Sequence, residues 1–99
     1  MRITTAKGKF SLGSIVVTAG VADKSRQDEA FNLFVLKSVG RHASGDWGEM
    51  TGEDMETNNI ALMRRERIFS SYETPGYPKI WIITEADRSS TCVLFPEEY

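Results

Sequence analysis

Hydrophobic and polar positions change period along this chain, and each change marks an element. The stretch "GSIVVTAGV" is dense in β-branched residues and bounded by Gly13 and Gly20, which predicts a largely buried strand over Ser14 to Thr18, ended by Gly20. In "DKSRQDEAFNLFVLKSVGRH" the period lengthens. Phe31, Phe34, Val35 and Val39 recur at three- and four-residue steps, the spacing of one helical face, and Ala30, Leu33 and Leu36 widen it. One long helix is expected here. Ser25 and Asp28 resemble a capping box, Arg41 and His42 suit the C-terminal end of the dipole, and Gly45 is a better stop than Gly40 because the basic residues precede it.

Beyond "GDWG", Thr51 and Asp54 form a second cap-like pair, and Met55, Ile60, Leu62 and Met63 offer a partial apolar face for another helix. Three short strands should follow: "RIFSSYE", "KIWIITE" and "STCVLF". Pro75 and Gly76 stand where a type II turn needs them, closing the first pair into an antiparallel hairpin, and "ADRSS" turns the second. "IWIIT", apolar at consecutive positions, belongs inside the sheet, covered on one face by helices and partly shielded on the other. Pro96 bars further central pairing. The order β-α-α-β-β-β predicts a two-layer α+β fold, an antiparallel sheet of about four strands with the long helix packed on one face.

Size and charge narrow the classes. Ninety-nine residues suit one domain spanning 1–99, with 1–9 as a loose N-terminal segment, and 40% hydrophobic content argues against disorder. A net charge of −2 gives neither the cationic field of a duplex binder nor the anionic density of a DNA mimic. The longest apolar run, "LFVL", is far shorter than the ~20 residues of a membrane span, and "MRITTAKGKF" lacks a hydrophobic secretion segment. Cys92 has no second thiol for a disulfide or zinc site and reads as a small buried hydrophobe in a reducing compartment, so the expected location is the cytoplasm.

Two stretches concentrate chemistry. In "RHASGDWGEM", His42 is a candidate general base oriented by Asp46, since an imidazole titrates near neutral pH; the structural alternative has it holding the last carbonyls of its helix. Trp47 either plugs its loop onto the sheet or, with Asp46 and Glu49, faces a partner. In "TEADRSST", Glu85, Asp87 and Arg88 are candidates for a cation or phosphate site. The alternative makes Asp87 a turn residue and Arg88 a clamp on loop carbonyls or on Asp46. An enzyme reading, an acid-base or metal-assisted site for a small phosphorylated or nucleotide ligand, requires His42, Asp46, Glu85, Asp87 and Arg88 to converge; a binding reading uses Trp47, Asp46, Glu49, Asp87 and Arg88. Arg64, Arg65 and Arg67 suit a helix end first and weak nucleic-acid contact second. The chain has no phosphate loop, dinucleotide fingerprint, nucleophile elbow or histidine pair, so neither cofactor nor metal is expected.

Through "VVTAGV", "RHASGDWG" and "WIITEADRSSTCVLFPEEY", from about Phe10 to Tyr99, the chain resembles small plasmid-related proteins of bacterial conjugative elements. Met1 to Lys9 look like an addition ahead of that family's usual start. Some relatives carry a methyltransferase-subunit label, which this chain does not fit, having no cofactor-binding glycine motif and too little length. The resemblance implies a non-catalytic accessory protein of a mobile element, anti-restriction or otherwise anti-defence, acting on a host or element-encoded protein. A homodimer through an uncovered edge strand or the outer side of "IWII" is a further expectation.

Overall fold

The computed structural model describes residues 9–99, so the loose segment expected over 1–9 falls almost wholly outside it. The architecture is α+β in two layers. In chain order it has β1 (Ser14–Val17), α1 (Ala19–Gln27), α2 (Glu29–Ala43), α3 (Gly52–Arg64), β2 (Ile68–Tyr72), β3 (Ile80–Thr84) and β4 (Ser90–Leu94), then a 3-10 turn over Pro96–Glu98. The strands lie in the order β1-β4-β3-β2. β2, β3 and β4 form the expected antiparallel meander, with Ser70 opposite Ile82 and Ile83 opposite Cys92. β1 joins parallel to β4, Val16 opposite Cys92, so the sheet is mixed and "IWIIT" is one of its two inner strands.

The turn chemistry follows the sequence. Tyr77 N–H donates to Thr74 O at 3.3 Å, with Gly76 at φ 88° in the third position, as a type II turn requires. Thr51 Oγ1 accepts from Asp54 N–H at 3.1 Å and starts α3, and α2 ends at Ala43 just before Gly45.

Three expectations are corrected. The long helix is two helices: at Asp28 the backbone turns extended (φ −138°, ψ 104°), and its carboxylate caps α2 by accepting from Phe31 N–H. Asp28 is therefore itself the cap, not the partner of Ser25. Gly20 lies inside α1. The acidic group this helix lacks in its first turn comes from Glu98, whose carboxylate accepts from Gly20 N–H at 3.2 Å, Thr18 Oγ1 at 2.6 Å and Phe95 N–H at 2.8 Å. Second, β1 is an exposed edge strand, not a buried one. Its β-branched run reports strand propensity alone, because propensity does not distinguish an edge from an interior. Third, α3 buries Asn58 and Ala61, while Met55, Ile60 and Met63 face outward.

The main core joins Val21 of α1 and Phe31, Val35 and Val39 of α2 to Tyr72, Ile80, Ile82 and Val93 on the inner sheet face. A smaller cluster of Trp47, Ala61 and Ile68 lies under α3, and Phe10 packs against both. Among the described residues no helix is long and apolar enough to cross a membrane.

Candidate functional site

His42 projects from the last turn of α2 into the sheet and is fully buried. Polar residues stand at inward strand positions beneath it, where alternation would otherwise place aliphatics: Ser70 on β2, Thr84 on β3 and Thr91 on β4. His42 Nδ1 meets Ser70 Oγ, and Nε2 meets Thr84 Oγ1 at 2.8 Å. Thr84 Oγ1 lies 2.7 Å from Thr91 Oγ1, which donates to Leu12 O at 2.7 Å.

The carbonyl at the end of this chain sets its direction. Since Leu12 O only accepts, Thr91 spends its proton there and must accept from Thr84. Thr84 in turn accepts from His42 Nε2–H, leaving Nδ1 to accept from Ser70. Every proton is placed with a neutral imidazole. Burial, then the positive charge of Arg88, pushes the His42 pKa down to about 3. His42 is thus neither the charged helix end nor a base paired with Asp46. It pins α2 to three strands.

Asp46 pairs instead with Arg41, which donates from Nε at 2.7 Å and Nη2 at 3.0 Å, while Gly48 N–H donates to Asp46 Oδ1 at 3.1 Å. The Arg41 bond, chiefly, holds the Asp46 carboxyl below its usual range. Tyr72 Oη donates to Asp46 O at 2.7 Å, and burial raises the Tyr72 phenol pKa. Glu49 accepts from Glu73 N–H at 2.9 Å. Trp47 is 3% exposed, donates to Asn59 Oδ1 at 2.9 Å, and stacks edge-on with His42. Its indole is a plug and is not presented to a partner. Gly48 (φ 77°) makes this loop possible, since a Cβ there would collide with Ser71 O.

The β3–β4 hairpin carries the remaining candidates. Arg88, at φ 61°, donates from Nη1 to Glu66 O at 2.7 Å and Glu85 O at 3.1 Å, and its guanidinium covers the Phe10 ring at 5.5 Å. It clamps loop carbonyls as the sequence suggested, but not Asp46. Asp87 accepts from Ser89 N–H at 2.9 Å, and Glu85 pairs with Arg67 at 3.5 Å. Arg67 also donates to Tyr99 Oη at 2.9 Å, which separates it in role from Arg65. No side chain among His42, Asp46, Glu85, Asp87 and Arg88 hydrogen-bonds the side chain of another.

Two of these residues do share a groove. A cavity of about 370 Å³ is walled by Phe10, Ser11 and Leu62 and by the charged residues Lys9, Arg65, Asp87 and Arg88. Arg65 stands there because it ends α3 in the left-handed conformation, φ 57°. Lys9 arrives because its N–H donates to Ala43 O at 2.8 Å. Among the described residues the groove thus holds three cations and one carboxylate. Burial and then the charge of Arg65 lower the Arg88 pKa, and Arg88 Nη2 is buried with no hydrogen-bond partner among the described residues. A second cleft of about 400 Å³, between α2 and the β2–β3 turn, contains Lys37, Arg41 and Glu73, of which Arg41 and Glu73 are already paired with Asp46 and Lys79.

Lys9 and Arg65 were not distinguishable in the sequence, because their meeting depends on where α3 ends and how the chain enters β1. The hydroxyls under His42 had a signal: Ser70, Thr84 and Thr91 fall in phase with buried aliphatic positions on three strands. Compared with known proteins, the chain matches no protein-family model, no curated protein and no solved structure.

Proposed function

We propose that the protein is a non-catalytic binding protein whose groove at the β3–β4 hairpin receives an acidic group of a protein partner. The observation that carries this reading is the excess of positive charge at one concave place: Lys9, Arg65 and Arg88 around a single Asp87 whose carboxylate is already engaged by Ser89 N–H. Like charges held together raise one another's cost, and an incoming carboxylate relieves it while meeting Arg88 as a charge-assisted acceptor. The apolar walls from Phe10 and Leu62 exclude water and strengthen the contact.

The resemblance to small proteins of conjugative elements supports taking that partner as a host or element-encoded protein, with anti-restriction as the specific role in a mobile element. The lone Cys92 supports a cytoplasmic setting. A phosphorylated ligand offers the same anionic chemistry, so the test separates the two.

The experiment is capture from host lysate with wild-type and Arg65→Asn bait, followed by titration of the identified partner at rising salt. Asn tolerates the left-handed backbone at position 65, so the substitution removes charge while keeping the fold. Affinity is expected to fall about tenfold, a loss of roughly 1.4 kcal/mol, with a shallower salt dependence and no competition from inorganic phosphate. A partner held equally by wild type, Arg65→Asn and Lys9→Ala would overturn the proposal.

A further inference from the structure

The two edges of the sheet are finished differently. At β2 the outward backbone is occupied: Asn58 of α3 donates to Phe69 O and accepts from Phe69 N–H at 3.2 Å, and Ser71 exchanges bonds with Trp47 O at 3.3 Å and Glu49 N–H at 2.8 Å. A helix side chain and a bridging loop thus take the place of a fifth strand. At β1 nothing among the described residues pairs with the outer side.

The parity of β1 determines which groups are left over. Ser14 N–H donates to Ser89 O at 3.0 Å and Thr18 N–H to Val93 O at 3.1 Å, so the alternate residues Ser14, Val16 and Thr18 turn toward β4. Ile15 and Val17 therefore direct N–H and C=O outward. This pattern is symmetric about Val16. If a second β1 lies antiparallel alongside, Ile15 falls opposite the second copy's Val17 and Val17 opposite its Ile15, each pair exchanging both hydrogen bonds. Val16 then meets the other Val16 on the dyad as a non-bonded pair, the closest kind.

Side-chain chemistry agrees. Ile15, Val16 and Val17 are 37%, 47% and 42% exposed, consecutive, β-branched and uncharged, with none of the lysines or prolines that guard free edges. Ser14 and Thr18, which fall opposite one another in the same register, are neutral, so two copies bring no like charges together. An isologous contact needs a surface complementary to itself, and this strand is one.

We propose that the protein forms a homodimer through antiparallel β1–β1 pairing about a twofold axis at Val16, joining two four-stranded sheets into one continuous eight-stranded sheet. The occupant of the open edge is a second copy of this chain.

Sedimentation equilibrium of the full chain tests it together with a register-specific cross-link. Wild type is expected at twice the chain mass, and Val16→Lys, which places two ammonium groups at the dyad, at the monomer mass with an unchanged far-UV spectrum. In a Cys92→Ser background, Val16→Cys is expected to give a covalent dimer on mild oxidation, since non-bonded antiparallel neighbours lie about 4.5 Å apart at Cα, within disulfide reach. Ile15→Cys is not expected to, because its own symmetry mate lies on the diagonal, about 7–8 Å away. A monomeric wild type, a dimer that survives Val16→Lys, or equal cross-linking at both positions would overturn the proposal.

Discussion

His42 decides how the molecule responds to acid. Its native pKa is depressed to about 3 by burial and by Arg88, against an ordinary value of 6.5 in the unfolded chain. Between these values the unfolded state binds the extra proton, so stability is full above pH 6.5 and falls as pH drops through this window, by on the order of 5 kcal/mol across it. Protonation in the native state would also force Ser70 to turn its hydroxyl toward Ile82 O, 3.5 Å away, a poor bond. Urea unfolding from pH 7.5 to 4.5 should show this slope. His42→Gln keeps a donor for Thr84 and an acceptor for Ser70 but does not titrate, so its profile should be flat above pH 5. An equal slope in the variant would place the linked proton elsewhere.

At the same scale, Trp47→Ala removes a buried indole and leaves Asn59 without its donor. A loss of about 3 to 5 kcal/mol is expected, measured as a lowered urea midpoint. Such a variant therefore reports on folding, not on recognition, and cannot serve as a binding probe.

Among the elements, α3 matters most for what it does to β2. Asn58→Ala leaves the Phe69 N–H and C=O unpaired at a sheet edge, with an expected cost of about 2 kcal/mol. Edge exposure should also accelerate aggregation on heating, followed by light scattering, whereas Met63→Ala, at an 84% exposed position, should change neither. The elements also mark how far the sequence could be read. The meander was legible because Pro75-Gly76 and the short apolar runs on either side of it fix hairpins locally. The start of α3 was legible from Thr51. The break at Asp28 was hidden, since Asp suits a first turn as well as a cap and α1, with Val21 as its one buried residue, has little apolar period of its own to read. The parallel placement of β1 was hidden too, because its partner lies more than seventy residues away. Of the candidate site, the sequence supplied Asp87 and Arg88, while Lys9 and Arg65 join them only through tertiary placement.

For the whole molecule, Phe10 is the link between the two apolar clusters, contacting His42 and Trp47 at ring-centroid distances of 5.4 and 6.1 Å. Clusters bridged in this way should melt together. Far-UV circular dichroism and tryptophan fluorescence are expected to give coincident urea transitions. Phe10→Ala should move both by about 2 kcal/mol; a transition split between the two probes would mean that the α3 side unfolds independently.

The parallel pairing of β1 with β4 also constrains the order of events during synthesis. The strand made first among those described lies beside the strand made last, and Glu98 then closes onto the start of α1. A nascent chain ending before Leu94 has its meander incomplete and its first strand idle, so the folded sheet waits for β4 to leave the ribosome.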